Sequence, residues 1–209
     1  MEIAQRYDAL AARYDRTWRG YNRAVHSEIL RHLPRDLSGA RVLDVGCGTG
    51  EWIERLLRRH REIAYVVGIE PSRGMLNQSC ARFAAFSCPT TVELRQCKME
   101  EFDWDDASFQ LVTSLNGLHY AENPRQWFET FHRVLDVGGT FVLQDYTHNG
   151  WPFFARAMRF FDRGTQGIYD AREVVRLAEN AGFCVQFART FRISRLWRGL
   201  VLVARKTAC

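Results

Sequence analysis

Short apolar runs alternate with stretches of helical periodicity through the first two thirds of the chain. The short runs predict strands, and apolar positions three and four residues apart predict the helices between them. The predicted strands cover residues 42–45, 64–69, 92–94, 109–115 and 140–143. Strands that alternate with helices in this order indicate an α/β fold with a parallel, doubly wound sheet.

The two ends of the chain depart from this alternation. Residues 1–35 have apolar positions at helical spacing, which predicts an N-terminal helical segment that either packs on the sheet or covers a ligand at its edge. Near the other end, Asp170 and Glu173 have the spacing of a capping box, which predicts the start of a helix. The apolar runs at 183–188 and 200–204 then predict a closing hairpin.

Residues 150–169 include an aromatic, arginine-bearing segment that follows the fifth predicted strand. Ligands of open α/β sheets bind at the carboxyl edge of the strands, which is where this segment falls. The segment is therefore a candidate lid over a hydrophobic substrate. A homodimer contact and a helix packed on the core are the alternatives.

Composition limits the class of protein further. The 209 residues suit one α/β domain, and a net charge of +5 permits an anionic substrate without demanding nucleic acid. No apolar run approaches the roughly 20 residues that span a bilayer, and the N-terminus does not read as a signal peptide. The six cysteines form no CxxC pair and have no metal-like spacing with histidine. We therefore expect a cytoplasmic protein with reduced thiols, no transmembrane segment and no metal site.

A glycine-rich turn follows the first predicted strand. Gly46, Gly48 and Gly50 can take positive φ and let a ligand approach the backbone. The helix predicted after Gly50 would direct its free N–H groups towards that ligand. An ordinary tight turn between strand and helix is the alternative. Cys47 lies within the turn, where a small side chain fits.

An acid at the end of the second strand makes the turn more specific. Glu70 follows Gly50 by 20 residues, and an acid at this place in an open parallel sheet accepts hydrogen bonds from two ribose hydroxyls. Glu51 stands where a dinucleotide fingerprint needs glycine, and its charge would face a pyrophosphate. These residues indicate a nucleoside ligand and argue against a nicotinamide dehydrogenase.

Several segments in the same order resemble class I S-adenosylmethionine-dependent methyltransferases, in the ubiquinone/menaquinone-biosynthesis-like (methyltransferase type 11) branch. They are VLDVGCGTG at 42–50, GIEPS at 68–72, the acidic and aromatic segment at 100–110, LHY at 118–120 and RVLDVGG at 133–139. The opening ARYD at 12–15 is also similar to that branch. The resemblance implies a Rossmann-like doubly wound sheet of seven strands, mostly parallel with an antiparallel last strand.

The resemblance also implies S-adenosylmethionine as the cofactor and a role for each contact. The glycine turn would hold its methionine part and Glu70 its ribose. Met99 and Glu100 would flank its adenine, and Leu115 and Asn116 would line the floor below its sulfonium. The implied cofactor-binding residues are Tyr14, Asp44, Gly46, Cys47, Gly48, Glu70, Pro71, Met75, Met99, Glu100, Leu115 and Asn116. Lys98 departs from the family, which often has an acid there, because lysine cannot accept a hydrogen bond from adenine.

The predicted activity is in-line methyl transfer to an O, N or C nucleophile of a small, apolar or anionic acceptor. If the acceptor must first lose a proton, His119 and His148 are the candidate general bases. A histidine without a catalytic role is the alternative for His119, because the branch commonly has one there. Base-modifying methyltransferases have an Asn/Asp-Pro-Pro-aromatic segment after the fourth strand, whereas this chain has NGLH at 116–119, so we expect no nucleic-acid substrate. A non-catalytic S-adenosylmethionine-binding or regulatory protein is the alternative function.

Overall fold

A computed structural model describes residues 3–147, 164–195 and 197–208. Within these residues seven strands form one sheet, in the spatial order β3-β2-β1-β4-β5-β7-β6. In chain order the strands are β1 (Arg41–Val45), β2 (Tyr65–Ile69), β3 (Thr91–Arg95), β4 (Phe109–Leu115), β5 (Leu135–Tyr146), β6 (Phe183–Arg192) and β7 (Arg198–Lys206).

The helices lie between the strands, as the hydrophobic pattern predicts. They are α1 (Ile3–Ile29), α2 (Glu51–Arg59), α3 (Arg73–Ala85), α4 (Pro124–Val134) and α5 (Ala171–Asn180). Two short 3₁₀ helices cover Met99–Glu101 and Leu118–Tyr120. The predicted capping box at the start of α5 is confirmed, because the Asp170 and Glu173 side chains each accept the backbone N–H of the other residue.

Strand pairing gives the sheet a single carboxyl edge. Strands β1 to β5 are parallel to one another, whereas β7 is antiparallel to both of its neighbours, β5 and β6. The predicted seven-stranded topology with an antiparallel last strand is confirmed. The strand order changes direction between β1 and β4, and in open α/β sheets such a switch point opens a crevice for ligands. Val45 and Leu115 end the two strands at this crevice.

The fifth strand differs from the prediction. Helix α4 ends at Val134, and β5 begins directly at Leu135 and runs to Tyr146, so the predicted strand at 140–143 is too short. Leu135 pairs with Phe109 at the start of β4, which places it in the sheet although its spacing continues the apolar face of α4. The predicted lid at 150–169 lies mostly outside the described residues.

Both faces of the sheet are covered, as the nearly continuous apolar strands predict. On one face, the rings of Phe128 and Phe131 from α4 pack on Phe141 of β5, with centroids 5.5 and 4.9 Å away. The opposite face is covered by α1 and α2. The buried residues there include Val25, Ile29, Val42, Ile53, Leu56, Val66 and Leu111.

The glycine turn after β1 has three residues in the left-handed region of backbone conformation, which favours glycine. Gly46, Gly48 and Gly50 all have positive φ, at 75°, 55° and 76°. A Cβ on Gly50 would also lie 2.5 Å from Ser79 Oγ and 2.8 Å from the ring of Phe83 on α3. Gly50 therefore fixes how closely α3 packs on the turn.

This packing predicts different costs for alanine at two glycines of similar φ. Gly39 has φ +70°, and a Cβ there meets nothing within 4 Å, so Gly39→Ala should lower the free energy of unfolding by about 1 kcal/mol through backbone strain alone. Gly50→Ala should cost about 2–3 kcal/mol more, because Ser79 and Phe83 must move. Urea unfolding of the two variants measures the difference. Equal losses would show that α3 does not depend on close contact with the turn.

Candidate functional site

A cavity of about 670 Å³ opens at the carboxyl edge of the sheet, between the ends of β1, β2 and β4 and the inner face of α1. It lies at the switch point between β1 and β4, which is where the topology places a ligand site. Ten of the twelve predicted cofactor-binding residues line it. They are Tyr14, Gly46, Gly48, Glu70, Pro71, Met75, Met99, Glu100, Leu115 and Asn116.

Glu70 is held in a fixed orientation at the cavity wall. Its side chain is only 7% exposed, and its two oxygens accept the backbone N–H of Gly48 at 3.0 Å and of Ser72 at 2.9 Å. Burial raises the pKa of Glu70 to about 7, although these two hydrogen bonds oppose the shift. Each carboxylate oxygen can accept more than one hydrogen bond, so Glu70 has capacity left for donors of a ligand.

Two predicted residues lie in the turn region without directing their side chains into the cavity. Asp44 is 2% exposed, and its Oδ1 accepts the hydroxyl of Thr113 at 2.6 Å on the neighbouring strand. Burial raises the pKa of Asp44 to about 7. The Cys47 thiol is buried against Gly68, and burial raises the pKa of this thiol too. The structure therefore does not support side-chain contacts of either residue with a ligand.

Helix α1 is attached to the rim of the cavity by a repeat of seven residues. Tyrosine at 7, 14 and 21 is followed each time by a polar residue, Asp8, Asp15 or Asn22. Asp8 Oδ1 accepts the hydroxyl of Ser72 at 2.6 Å and the N–H of Gly74 at 2.7 Å, at the start of α3. These two hydrogen bonds lower the pKa of Asp8.

The next two polar residues of the repeat reach the glycine turn and α2. Asp15 accepts the hydroxyl of Thr49 at 2.6 Å and forms an ion pair with Arg82. Asn22 Nδ2 donates to the Glu51 carboxylate at 2.9 Å, at the start of α2. The polar residues of the repeat therefore tie α1 to the starts of two helices and to the turn between β1 and α2.

The tyrosines of the repeat face the cavity and its floor. Tyr7 and Tyr14 line the cavity, and the Tyr7 hydroxyl lies 2.8 Å from that of Tyr120. Tyr21 donates to Asn116 Oδ1 at 2.6 Å, where Asn116 follows β4 with φ +55°. Burial raises the pKa of Tyr14 and of Tyr21, so both hydroxyls stay protonated at physiological pH.

The predicted base His119 is buried beside the cavity and does not line it. Its side chain is 4% exposed, and its Nδ1 lies 2.8 Å from Asp145, which also accepts the backbone N–H of His119. The His119 carbonyl accepts the N–H of Gln166 at 2.8 Å. These contacts fix the 3₁₀ turn that presents Tyr120 to the cavity, which favours a positioning role for His119 over a general base. His148 lies outside the described residues.

Sequence reasoning missed part of the cavity wall. Tyr7, Tyr120, Trp127 and Gln166 line it together with Ile3 and Arg6. Trp127 lies on the buried, apolar face of α4, yet its Nε1 donates to the Glu100 carboxylate at 2.8 Å. The tyrosine–aspartate repeat at an interval of seven was the available signal for Tyr7. Tyr120 belongs to the LHY segment of the resemblance, which gave it no role, and Gln166 had no signal in the sequence.

No group of three or more His, Cys, Asp and Glu side chains with metal-binding geometry occurs among the described residues. Within the same residues, every helix is too short or too polar to traverse a bilayer.

Comparison with known proteins places this geometry among methyltransferases. Residues 42–139 match the family described as methyltransferase domain. The chain is 33% identical over 146 residues to the biotin biosynthesis bifunctional protein BioHC of Teredinibacter turnerae, covering 68% of this chain and 26% of that protein. It is 28% identical over 224 residues to demethylmenaquinone methyltransferase of Deinococcus radiodurans, covering 94% of this chain and 88% of that protein. The chain thus spans about a quarter of the bifunctional relative and most of the second one.

A solved structure shows the same fold. The putative methyltransferase in complex with the Trm112 methyltransferase activator of Haloferax volcanii superposes with a TM-score of 0.81 at 18% identity. The superposition covers 97% of this chain and 98% of that one. At this identity the likeness concerns the fold alone.

The raised pKa of Glu70 predicts a pH dependence of stability in the ligand-free protein. Folding shifts this pKa upward from its usual 4.5, so the folded state holds the proton more tightly than the unfolded state. The stability contribution is therefore complete below about pH 4.5 and is lost as pH rises through about 7. Relative to Glu70→Gln, the wild-type free energy of unfolding should fall by on the order of 2 kcal/mol between about pH 5 and 8.

Urea unfolding at several pH values measures this difference. The control is Glu129→Gln, which removes one carboxylate from an exposed position on α4 and so accounts for the loss of a charge as such. A flat difference for Glu70→Gln would contradict the raised pKa.

Proposed function

The chain belongs to the class I S-adenosylmethionine-dependent methyltransferases, and we propose that it transfers a methyl group to an O, N or C nucleophile of a small molecule. The observation that carries the proposal is the wall of the cavity, where the glycine turn and the buried carboxylate of Glu70 lie side by side. We further propose that residues 1–209 act as one domain, with 1–35 as a helical cover and 150–169 as a substrate lid.

The residues present fit the cofactor. Gly46 lines the cavity, and a Cβ on it would meet no atom within 4 Å, so a ligand can approach the backbone of the turn closely. Glu70 offers a fixed carboxylate for two ribose hydroxyls. Met75 and Met99 supply apolar surface for the adenine, beside the Glu100 side chain that Trp127 holds. The volume of about 670 Å³ lies within the range of small-molecule sites and leaves room for an acceptor.

When bound, S-adenosylmethionine supplies a methyl group on a sulfonium that is already a good leaving group. The protein therefore has mainly to hold the acceptor in line and to keep water out. Helix α1 does both on this proposal, because its tyrosines form a wall of the cavity while Asp8 and Asp15 keep it attached to the rim.

We place the acceptor beside Tyr7 and Tyr120, on the part of the cavity wall that is not formed by the proposed cofactor-binding residues. This part of the wall combines aromatic rings and Ile3 with polar and charged side chains, among them Glu122 and Gln166, which suits an apolar acceptor that carries a hydroxyl or another polar group. The name of the demethylmenaquinone relative supports an apolar ring of this kind. The hydroxyl pair of Tyr7 and Tyr120 can then hydrogen-bond a polar atom of the acceptor.

Cofactor binding tests the first part of the proposal. Isothermal titration with S-adenosylhomocysteine should show binding to the wild type and binding weaker by about 10- to 100-fold for Glu70→Ala, because hydrogen bonds to a charged group are lost. Glu129→Ala serves as the control, since it removes an exposed carboxylate on α4. Binding of NAD without binding of S-adenosylhomocysteine would contradict the proposal. Binding without methyl transfer to any acceptor would support a non-catalytic role.

Removal of one hydroxyl of the tyrosine pair should impair use of the acceptor without weakening cofactor binding. Tyr7→Phe should lower kcat/KM for a short-chain demethylmenaquinol by about tenfold through loss of one hydrogen bond, while affinity for S-adenosylhomocysteine stays within about twofold. Tyr65→Phe is the control. It also removes a hydroxyl that bonds a side chain, Glu93 on β3, but Tyr65 does not line the cavity, so kcat/KM should stay unchanged. Equal losses of acceptor and cofactor binding in Tyr7→Phe would show that Tyr7 only supports the packing of α1.

A further inference from the structure

The outer face of α1 is strongly basic. Four arginines, at positions 13, 16, 19 and 23, are exposed on this helix of 27 residues. At 3.6 residues per turn they fall within about 120° of the helix circumference and along about 15 Å of its axis. We call these four residues the arginine face.

The charge of the arginine face is not neutralised by the protein. None of its four guanidinium groups forms an ion pair with any residue in the described ranges. The acids of α1 are engaged elsewhere, because Asp8 bonds the start of α3, Asp15 pairs with Arg82, and Glu28 pairs with Arg31 and Arg189.

On helix α2, in contrast, glutamates of the same helix neutralise two of the arginines. Its Arg55 and Arg58 each pair with a glutamate four residues earlier on the same helix, Glu51 and Glu54. Such pairs leave little net charge on a solvated helix face. The arginine face of α1 lacks this arrangement and presents an uncompensated row of cations.

The position of the arginine face connects it to the site. The opposite side of α1 lines the cavity through Tyr7 and Tyr14, and Arg6 lines it near the start of the helix. A partner on the arginine face would therefore lie one helix diameter, about 10 Å, from the cavity. The other exposed residues between positions 9 and 27 are small or polar: Ala9, Ala12, Thr17, Gly20 and Ser27. Contact with a partner would thus be electrostatic, without insertion of apolar side chains.

We propose that the arginine face binds the phosphates of an anionic phospholipid surface and so brings the cavity next to the bilayer that holds an apolar acceptor. The proposal rests on the proposed function for the class of acceptor. Arginine forks bind phosphate oxygens in pairs, and a straight helix face presents them to a plane. Four cations near an anionic leaflet together raise affinity by about a thousandfold, which gives reversible binding that salt weakens.

Vesicle sedimentation with the full chain tests the proposal. We expect the wild type to bind phosphatidylcholine vesicles that contain phosphatidylglycerol, to ignore pure phosphatidylcholine vesicles, and to dissociate at about 1 M salt. The fourfold variant with glutamine at positions 13, 16, 19 and 23 should lose at least tenfold in vesicle affinity. All four side chains are exposed, so circular dichroism and urea unfolding should match the wild type.

A matched pair of double variants distinguishes the effect of the arginine face from the effect of the protein's net charge. Arg16→Gln/Arg19→Gln and Arg172→Gln/Arg176→Gln remove the same charge from exposed positions, on α1 and on α5. Only the first should weaken binding to vesicles, by about tenfold. Equal loss in both, absence of vesicle binding, or tighter binding to duplex DNA than to vesicles would overturn the proposal.

Titration with S-adenosylhomocysteine distinguishes failure here from failure of the proposed function. If the wild type binds the cofactor product but not the vesicles, only the membrane proposal fails. If it binds neither, the proposed function fails as well.

Discussion

The site depends on the buried carboxylate of Glu70, because it joins two parts of the chain that must be in register for a ligand to bind. Its two backbone donors come from different elements, Gly48 in the turn after β1 and Ser72 at the start of α3. Burying a carboxylate is unfavourable unless it is hydrogen-bonded, and the pKa of about 7 shows that two donors do not compensate fully for burial. A ligand that adds hydroxyl donors would complete this set and lower the pKa again. The buried carboxylate of Glu70 is thus matched to the chemistry proposed for the site.

Most strands and helices followed from the sequence because they depend on local rules, whereas the family resemblance supplied the seven-stranded topology and most of the candidate site. Apolar runs and the Asp170 capping box each predict their own element; the capping box is confirmed, and the apolar run at 140–143 marks only part of β5. The glycine turn and Glu70 were found because a parallel sheet places consecutive strand ends at one edge. The start of β5 was not predicted, since the apolar spacing of Leu135 fits a helix and only its pairing with Phe109 shows that it belongs to a strand.

Contacts between distant segments could not be predicted from the sequence. Asp44 was predicted to bind the cofactor; its Oδ1 accepts the hydroxyl of Thr113 on the neighbouring strand, and a single sequence does not show this contact. His119 has a residue type typical of catalysis, yet its role depends on Asp145, 26 residues away, which holds it beside the cavity. The Tyr7–Tyr120 pair joins residues 113 positions apart, and no periodicity predicts such a contact.

The rotation of helix α1 about its own axis determines at once which of its residues face the cavity, the rim and the outside. Residues seven apart on a straight helix drift by only about 20° per repeat, so three tyrosines form one row and their polar neighbours form a second row about 100° away. The tyrosine row faces the cavity, the polar row binds the rim, and the arginines occupy much of the remaining circumference. A shift of one residue would turn the helix by about 100° and carry the tyrosines away from the cavity. The hydrogen bonds of Asp8, Asp15 and Asn22 prevent that rotation. The cavity wall and the outward charge of α1 therefore depend on the same three contacts.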